Sequence, residues 1–279
     1  MKYSKLIIDG PYLAHRSHSA PYKLTTSKGL DSTMLHSFMR SLFSFQKKFK
    51  PTTTVVAWES HGTTSWRREQ YPTYKPTQSI DTQYVMGVQD IQDLLYLLNI
   101  PQFNSAHNEA DDVISVLSNS YNEPVVIFTK DKDIMQLITH DVHIYDGKKI
   151  ITKQQVIEKF GVVPKQIPDY LAIMGDKSDN IEGVVGYGGK KTSKILMEHT
   201  SIESIPENLF DEETIKKIKN NKKLTTLNRK CILSKLPIQE PKTTIKTLLE
   251  KYELEKLKKD IEEYQQIDES EEENIFDFF

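Results

Sequence analysis

The chain has 279 residues, 37% hydrophobic and 27% charged, with a net charge of −2, which fits one large or two moderate soluble domains. A single cysteine, Cys231, excludes a disulfide framework and a thiolate zinc cluster, no run approaches the roughly 18 apolar residues of a membrane span, and the short apolar run at 6–8 does not make a signal peptide, so a reducing cytoplasm is the expected location. Nine acids and no Lys or Arg fall in residues 260–279, which leaves the rest mildly basic, 37 bases against 30 acids, and compatible with a polyanionic partner.

Four short apolar runs, 5–8, 54–58, 124–129 and 142–145, read as strands, most of them rich in Val and Ile. Between them lie stripes at helical spacing. Met34, Leu35, Phe38, Met39, Leu42 and Phe43 form one behind a Ser32 or Thr33 cap. Val88, Ile91, Leu94, Leu95 and Leu98 form a second, ended by Pro101, and Ala110, Val113, Ile114 and Leu117 a third. This alternation predicts an α/β fold, a mostly parallel sheet covered by helices, with ligands beyond the carboxyl ends of the strands. Residues 60–84, rich in Thr, Tyr, Arg and Pro, read as an excursion from the core. After about residue 182 the strand signal stops and the rest reads as helical. A charged amphipathic helix covers 248–264, and disorder is expected from Gln265.

The chemistry concentrates in acids at strand ends and helix starts. Asp9 closes the first strand and Glu59 follows the second. Glu109, Asp111 and Asp112 open the third helix, Asp131 and Asp133 follow 124–129, and Asp176 and Asp179 follow the apolar run 171–174. Gathered at one sheet edge, nine carboxylates would repel one another and raise their own pKa values, so the arrangement calls for cations. Oxygen ligands without His or Cys select Mg²⁺ or Mn²⁺, and two such ions about 4 Å apart serve in-line attack on a phosphodiester. Each acid taken singly has a plainer reading as a helix cap or surface group, and Asp146, in an Asp–Gly turn, is assigned to that class.

Two further segments suit nucleic acid. Gly183, Gly186, Gly188 and Gly189 make a tight turn before Lys190, Lys191 and Lys194 at a helix start, a backbone cradle for phosphate, or else a bare helix–turn–helix connection. The spacing is not that of a P-loop. In 66–75, Arg67, Arg68 and Lys75 alternate with Trp66, Tyr71 and Tyr74, the mixture of single-strand binders, or else a loop packed by its own aromatics.

Together these motifs resemble the 5′-nuclease (flap endonuclease) family, in particular stand-alone bacteriophage 5′→3′ exonucleases and the 5′-nuclease domain of bacterial DNA polymerase I. EADD at 109–112, TKDKD at 129–133, MGDKSDNIEGVVGYG at 174–188 and RREQYPTYK at 67–75 carry the resemblance, over about residues 4–235. It implies a PIN-like nuclease core at 1–180 with a helical arch at about 60–100, and a helix–three-turn–helix that binds duplex DNA within 181–264. By the same resemblance Asp9, Glu109, Asp111, Asp112, Asp131 and Asp133 are metal ligands or their neighbours, and Asp176 and Asp179 complete a second metal position. Arg67, Tyr74 and Lys75 are arch-base residues near the scissile phosphate, and the glycine turn is a place for K⁺. Glu59 stands where the family usually has Asp, and His107 and Asn108 stand ahead of EADD where a Gly is frequent.

The acidic tail, 265–279, ends in Glu272–Glu–Asn–Ile275–Phe–Asp–Phe278–Phe279, which resembles a sliding-clamp-binding peptide with Ile275, Phe278 and Phe279 as anchors. The alternative is a tail that folds onto its own body. The leading expectation is a monomeric, two-metal 5′ nuclease acting on 5′ flaps, nicks and RNA primers during DNA replication. The alternatives are a non-catalytic, clamp-tethered flap-binding protein and a PIN-type ribonuclease.

Overall fold

A computed structural model describes residues 2–60, 62–75, 81–119, 123–237 and 239–276, with backbone alone for 207 and 266–276. In chain order it contains β1 (Lys5–Asp9), α1 (Gly10–His18), α2 (Thr33–Phe49), β2 (Thr53–Ala57), α3 (Trp66–Gln70), α4 (Thr82–Leu97), β3 (Gln102–Asn104), α5 (Ala110–Leu117) and β4 (Val125–Phe128). There follow β5 (Val142–Tyr145), β6 (Ile150–Ile151), α6 (Lys153–Phe160), α7 (Ile167–Met174), α8 (Gly189–His199), α9 (Glu212–Thr225), β7 (Ser234–Leu236), α10 (Ile245–Tyr252) and α11 (Glu255–Phe276).

The strands form one sheet in the order β6-β5-β4-β1-β2-β3-β7. Its five inner strands run parallel, and β6 and β7 close the edges antiparallel. The side-chain period of two divides each central strand between two cores. Leu6, Ile8, Val56, Val126 and Phe128 face one layer of helices, with residues of α2, α4, α10 and α11. Ile7, Val55, Ala57, Val125 and Ile127 face the other, with residues of α5, α7, α8 and α9. Burial on both faces explains why these strands read as continuous apolar runs.

The four expected strands are present. β3, β6 and β7 went unread, because two or three residues are too few to show a period. β7 corrects the expectation that strands end before about residue 182. It pairs with β3, and so returns the late part of the chain to the sheet. The expected 181–264 region divides between the two cores: α8 and α9 join one, α10 and the start of α11 the other. The backbone of α11 continues as helix to Phe276, where disorder was expected from Gln265. Phe278 and Phe279, and the side chain of Ile275, lie outside the described residues.

Candidate active site and metal centre

Parallel pairing of β1 with β2 and β4 puts the carboxyl ends of these strands at one edge. Asp9 closes β1, Glu59 lies just past β2, and Asp131 just past β4. α5 starts beside them with Asp111 in its first turn. Asp9, Glu59, Asp111 and Asp131 line one cleft of about 460 Å³, together with Lys75 and Lys130. Asp9 is 4% exposed, and its two oxygens accept from Thr129 Oγ1 at 2.6 Å and the Tyr12 backbone N–H at 3.0 Å. The second bond caps α1, so this acid fills its plainer role and still faces the cleft. Burial pushes Asp9 up to about 7. Its two hydrogen bonds oppose the shift, and the charges of Asp131 and Glu59 add to it. Asp111 is pushed well above the ordinary range, by burial first and then by Asp131, with Asp9 and Glu109 adding and Lys75 opposing.

A second group adjoins the first. One oxygen each from Asp133, Asp176 and Asp179 lies within 4.8 Å of the others. Asp131 joins the two groups: its Oδ1 accepts from the Asp133 N–H at 2.8 Å. Burial raises Asp133, and Asp131, Asp179 and Asp176 raise it further. Burial also raises Asp179, against the pull of Lys75. Asp176 is the exception. Burial pushes it up, but hydrogen bonds from Lys132 (2.7 Å) and Ser178 hold it below the ordinary range. The donors are carboxylate oxygens without imidazole or thiolate, several are raised by burial and then by one another, and a hard divalent ion fits that set.

The expected arch-base residues fall into two classes. Lys75 reaches the cleft, with Nζ 2.8 Å from Glu109 Oε2 and 3.9 Å from Asp179 Oδ2. Tyr74 is buried, its hydroxyl 3.1 Å from both of those oxygens. Arg68 donates to the Lys75 carbonyl and so braces the turn that presents Lys75. Burial pushes Glu109 up, but Lys75 and Arg67 outweigh it and hold the carboxyl low.

Arg67 and Asp112 are turned inward, away from the cleft. Arg67 is 1% and Asp112 0% exposed. The guanidinium meets both Asp112 oxygens, at 2.7 and 2.9 Å, and donates to the carbonyls of Leu224 and Thr226 at the end of α9. The Asp112 oxygens also accept from the backbone N–H groups of Asn228 and Glu109. With their polar atoms turned on each other and on backbone, Arg67 has no open face toward a phosphate and Asp112 none toward a metal. They tie α3, α5 and α9 together beneath the cleft.

The four glycines also separate. A Cβ on Gly183 would meet the Met174 carbonyl oxygen at 2.1 Å, and one on Gly189 the Tyr170 hydroxyl at 2.5 Å, so both serve close packing on α7. Gly186 has φ +80° and makes the turn. Gly188 is the N-cap of α8, with open space around it and no side-chain cap. Lys190, Lys191 and Lys194 are exposed along the first turns of that helix. Asp146 accepts from the N–H groups of Lys148 and Lys149, the turn role assigned to it.

Thr129, Lys130, Lys132 and Ser65 escaped sequence reasoning. Ser65 donates to Glu109 at 3.0 Å. The two lysines alternate with the acids of TKDKD, and that alternation was the available signal.

Two family models cover nearly the whole chain: "5′-3′ exonuclease, N-terminal resolvase-like domain" over residues 4–161 and "5′-3′ exonuclease, C-terminal SAM fold" over 162–260. The 5′-3′ exonuclease of Aquifex aeolicus is 36% identical over 208 residues, 72% of each chain. That of Mycoplasmopsis pulmonis is 29% identical over 272 residues, 91% of this chain and 89% of the relative. DNA polymerase I of Caldicellulosiruptor bescii is 33% identical over 216 residues, 73% of this chain but 25% of the polymerase. Among solved structures, a complex of the bacteriophage T5 flap endonuclease with DNA and metal ions has the same fold, with a TM-score of 0.63 and 20% identity over 95% of this chain and 99% of that one. The T5 5′-exonuclease with bound zinc also shares it, with a TM-score of 0.63 and 23% identity over 80% and 89% of the two chains.

Proposed function

Because the chain belongs to the 5′-3′ exonuclease family, we propose that it is a metal-dependent, structure-selective 5′→3′ exonuclease and flap endonuclease that hydrolyses phosphodiesters. The observation that carries this reading is the meeting of Asp9, Glu59, Asp111 and Asp131 with Asp133, Asp176 and Asp179 at one sheet edge. Asp9, Asp111 and Asp131 would hold one Mg²⁺ or Mn²⁺, and Asp133, Asp176 and Asp179 a second. When bound, such a pair supplies activation of water and stabilisation of the leaving 3′ oxygen.

The chain's own groups do the rest. Lys75 and Lys130 stand in the cleft as cations for the scissile phosphate and the charge that develops on it. Tyr74 and Glu109 hold the Lys75 ammonium in place. The turn at 183–189 with Lys190, Lys191 and Lys194 takes duplex phosphates without reading sequence, and its carbonyls are the place for K⁺. The substrates are 5′ flaps, nicked duplexes and RNA primers met in replication. The chain works as a monomer in the cytoplasm, and Ile275, Phe278 and Phe279 tether it to a sliding clamp. Among the described residues, no helix is long and apolar enough to cross a membrane.

A labelled 5′-flap duplex, with Mg²⁺ and then with chelator, tests the reading. Cleavage is expected only with the metal. Asp131→Asn and Asp111→Asn are each expected to abolish it while the protein still binds the flap, and full activity in both variants would overturn the metal assignment.

A further inference from the structure

The lysines of α9 divide by face. Lys217 pairs with Glu182 at 2.7 Å, and Lys222 with Asp169 and Glu203 at 2.6 and 2.7 Å. Lys216, Lys219 and Lys223, at i, i+3 and i+7, share the exposed face and have no acidic partner among the described residues. Lys219 and Lys223 line a cavity of about 660 Å³ whose far wall is Trp66 and Gln70 of α3. One face of the half-buried Trp66 ring is backed by the Arg67 guanidinium, 4.6 Å from the ring centre, and the indole N–H has no partner among the described residues. Glu203 also lines the cavity, where it pairs with Lys222, which it shares with Asp169. None of the residues lining this groove lines the metal cleft. The two are joined by one short segment, which presents Trp66 to the groove and Lys75 to the acids.

We propose that the groove between α3 and α9 is a second nucleic-acid contact, which takes the single-stranded 5′ arm of a branched substrate. Its phosphates lie along Lys219 and Lys223, and an unpaired base stacks on Trp66. An aromatic face among unpaired lysines suits a single strand, because the bases of a duplex are stacked on each other and turn only phosphates outward. This inference rests on the proposed function and extends it to the path of the strand.

The test uses the full chain in chelator, so that nothing is cleaved. Fluorescence anisotropy measures the affinity for a duplex with a single-stranded 5′ arm and for the same nicked duplex without the arm, across a salt series. Lys219→Gln/Lys223→Gln is expected to weaken binding of the armed substrate about tenfold and to flatten its log K against log salt slope by about 1.4, two contacts at roughly 0.7 each, while the armless duplex is unaffected. Equal loss on both substrates, or loss on neither, would overturn the groove. A Lys190→Gln/Lys191→Gln/Lys194→Gln variant on the armless duplex separates the two claims. Weakened binding there beside an unchanged groove variant removes the groove alone, and unchanged binding in both variants removes the DNA-binding reading with it.

Discussion

At the scale of the residue, the buried pair of Arg67 and Asp112 shows what desolvation demands. A carboxylate that is 0% exposed has both of its oxygens met, by a forked guanidinium and two backbone N–H groups. Arg67→Met strands that charge, and the expected cost is about 3–5 kcal/mol of folding stability, read from urea unfolding. A loss below about 1 kcal/mol would mean that the pair does not clamp α3, α5 and α9 together. Asp9 makes a pH prediction. It holds its proton in the metal-free fold up to about 7, whereas an unfolded aspartate ionises near pH 3.9. Between those values the folded state binds more protons, so metal-free stability falls as pH rises from about 4 to 7, by on the order of 4 kcal/mol at most. Glu109 and Asp176, held low despite burial by Lys75 and Lys132, have the opposite sign, lost only as pH falls below the ordinary carboxylate range. Thermal scans in chelator are expected to give a lower Tm at pH 7.5 than at pH 5.5, with Mg²⁺ restoring the difference. A Tm that climbs over that interval in chelator contradicts the assignment.

At the scale of the element, the turn from 181 to 189 is built from glycines that are not interchangeable. Gly183→Ala forces a methyl onto the Met174 carbonyl and the Gly175 N–H, backbone that cannot step aside, and a loss of more than about 2 kcal/mol is expected in thermal unfolding. Gly188→Ser meets open space at an extended N-cap with φ −75°. Serine caps better than glycine, by about a few tenths of a kcal/mol, so the fold is expected to gain slightly. The same hydroxyl occupies the helix start assigned to a phosphate, so duplex affinity is expected to fall. Calorimetry and anisotropy on one preparation check both directions. The motif was legible in the chain, but the separate duty of each glycine was not, since the spacing of glycines does not say whose backbone passes within 3 Å.

At the scale of the whole molecule, α10 and α11 belong to the core shared with α2 and α4. Leu248, Tyr252, Leu254, Leu257 and Ile261 are buried there, and Arg40 and Lys47 of α2 pair with Asp260 and Glu263. Five such side chains at about 1.5–3 kcal/mol each rival the roughly 5–15 kcal/mol that holds a domain together. A chain cut after residue 244 is therefore expected to lose cooperative unfolding, and one cut after residue 264 to keep both its Tm and its flap cleavage. If the shorter chain melted like the full one, the docking of α10 and α11 would carry no stability.

The layered α/β class, the four principal strands and the acids that meet at their ends were legible along the chain. A short apolar run and the chemistry of a carboxylate are local properties, and parallel topology carries strand ends to one edge whatever lies between them. Tertiary structure alone decided which charged groups stay open to solvent. Asp111 and Asp112 are neighbours in the chain, yet one lines the cleft and the other is locked beneath it by Arg67, 45 positions earlier, and by Asn228, 116 positions later. Trp66 likewise parted from Lys75 to meet the lysines of α9. A side chain's charge is written in its own residue, but its desolvation and its partners come from distant segments brought into contact by packing.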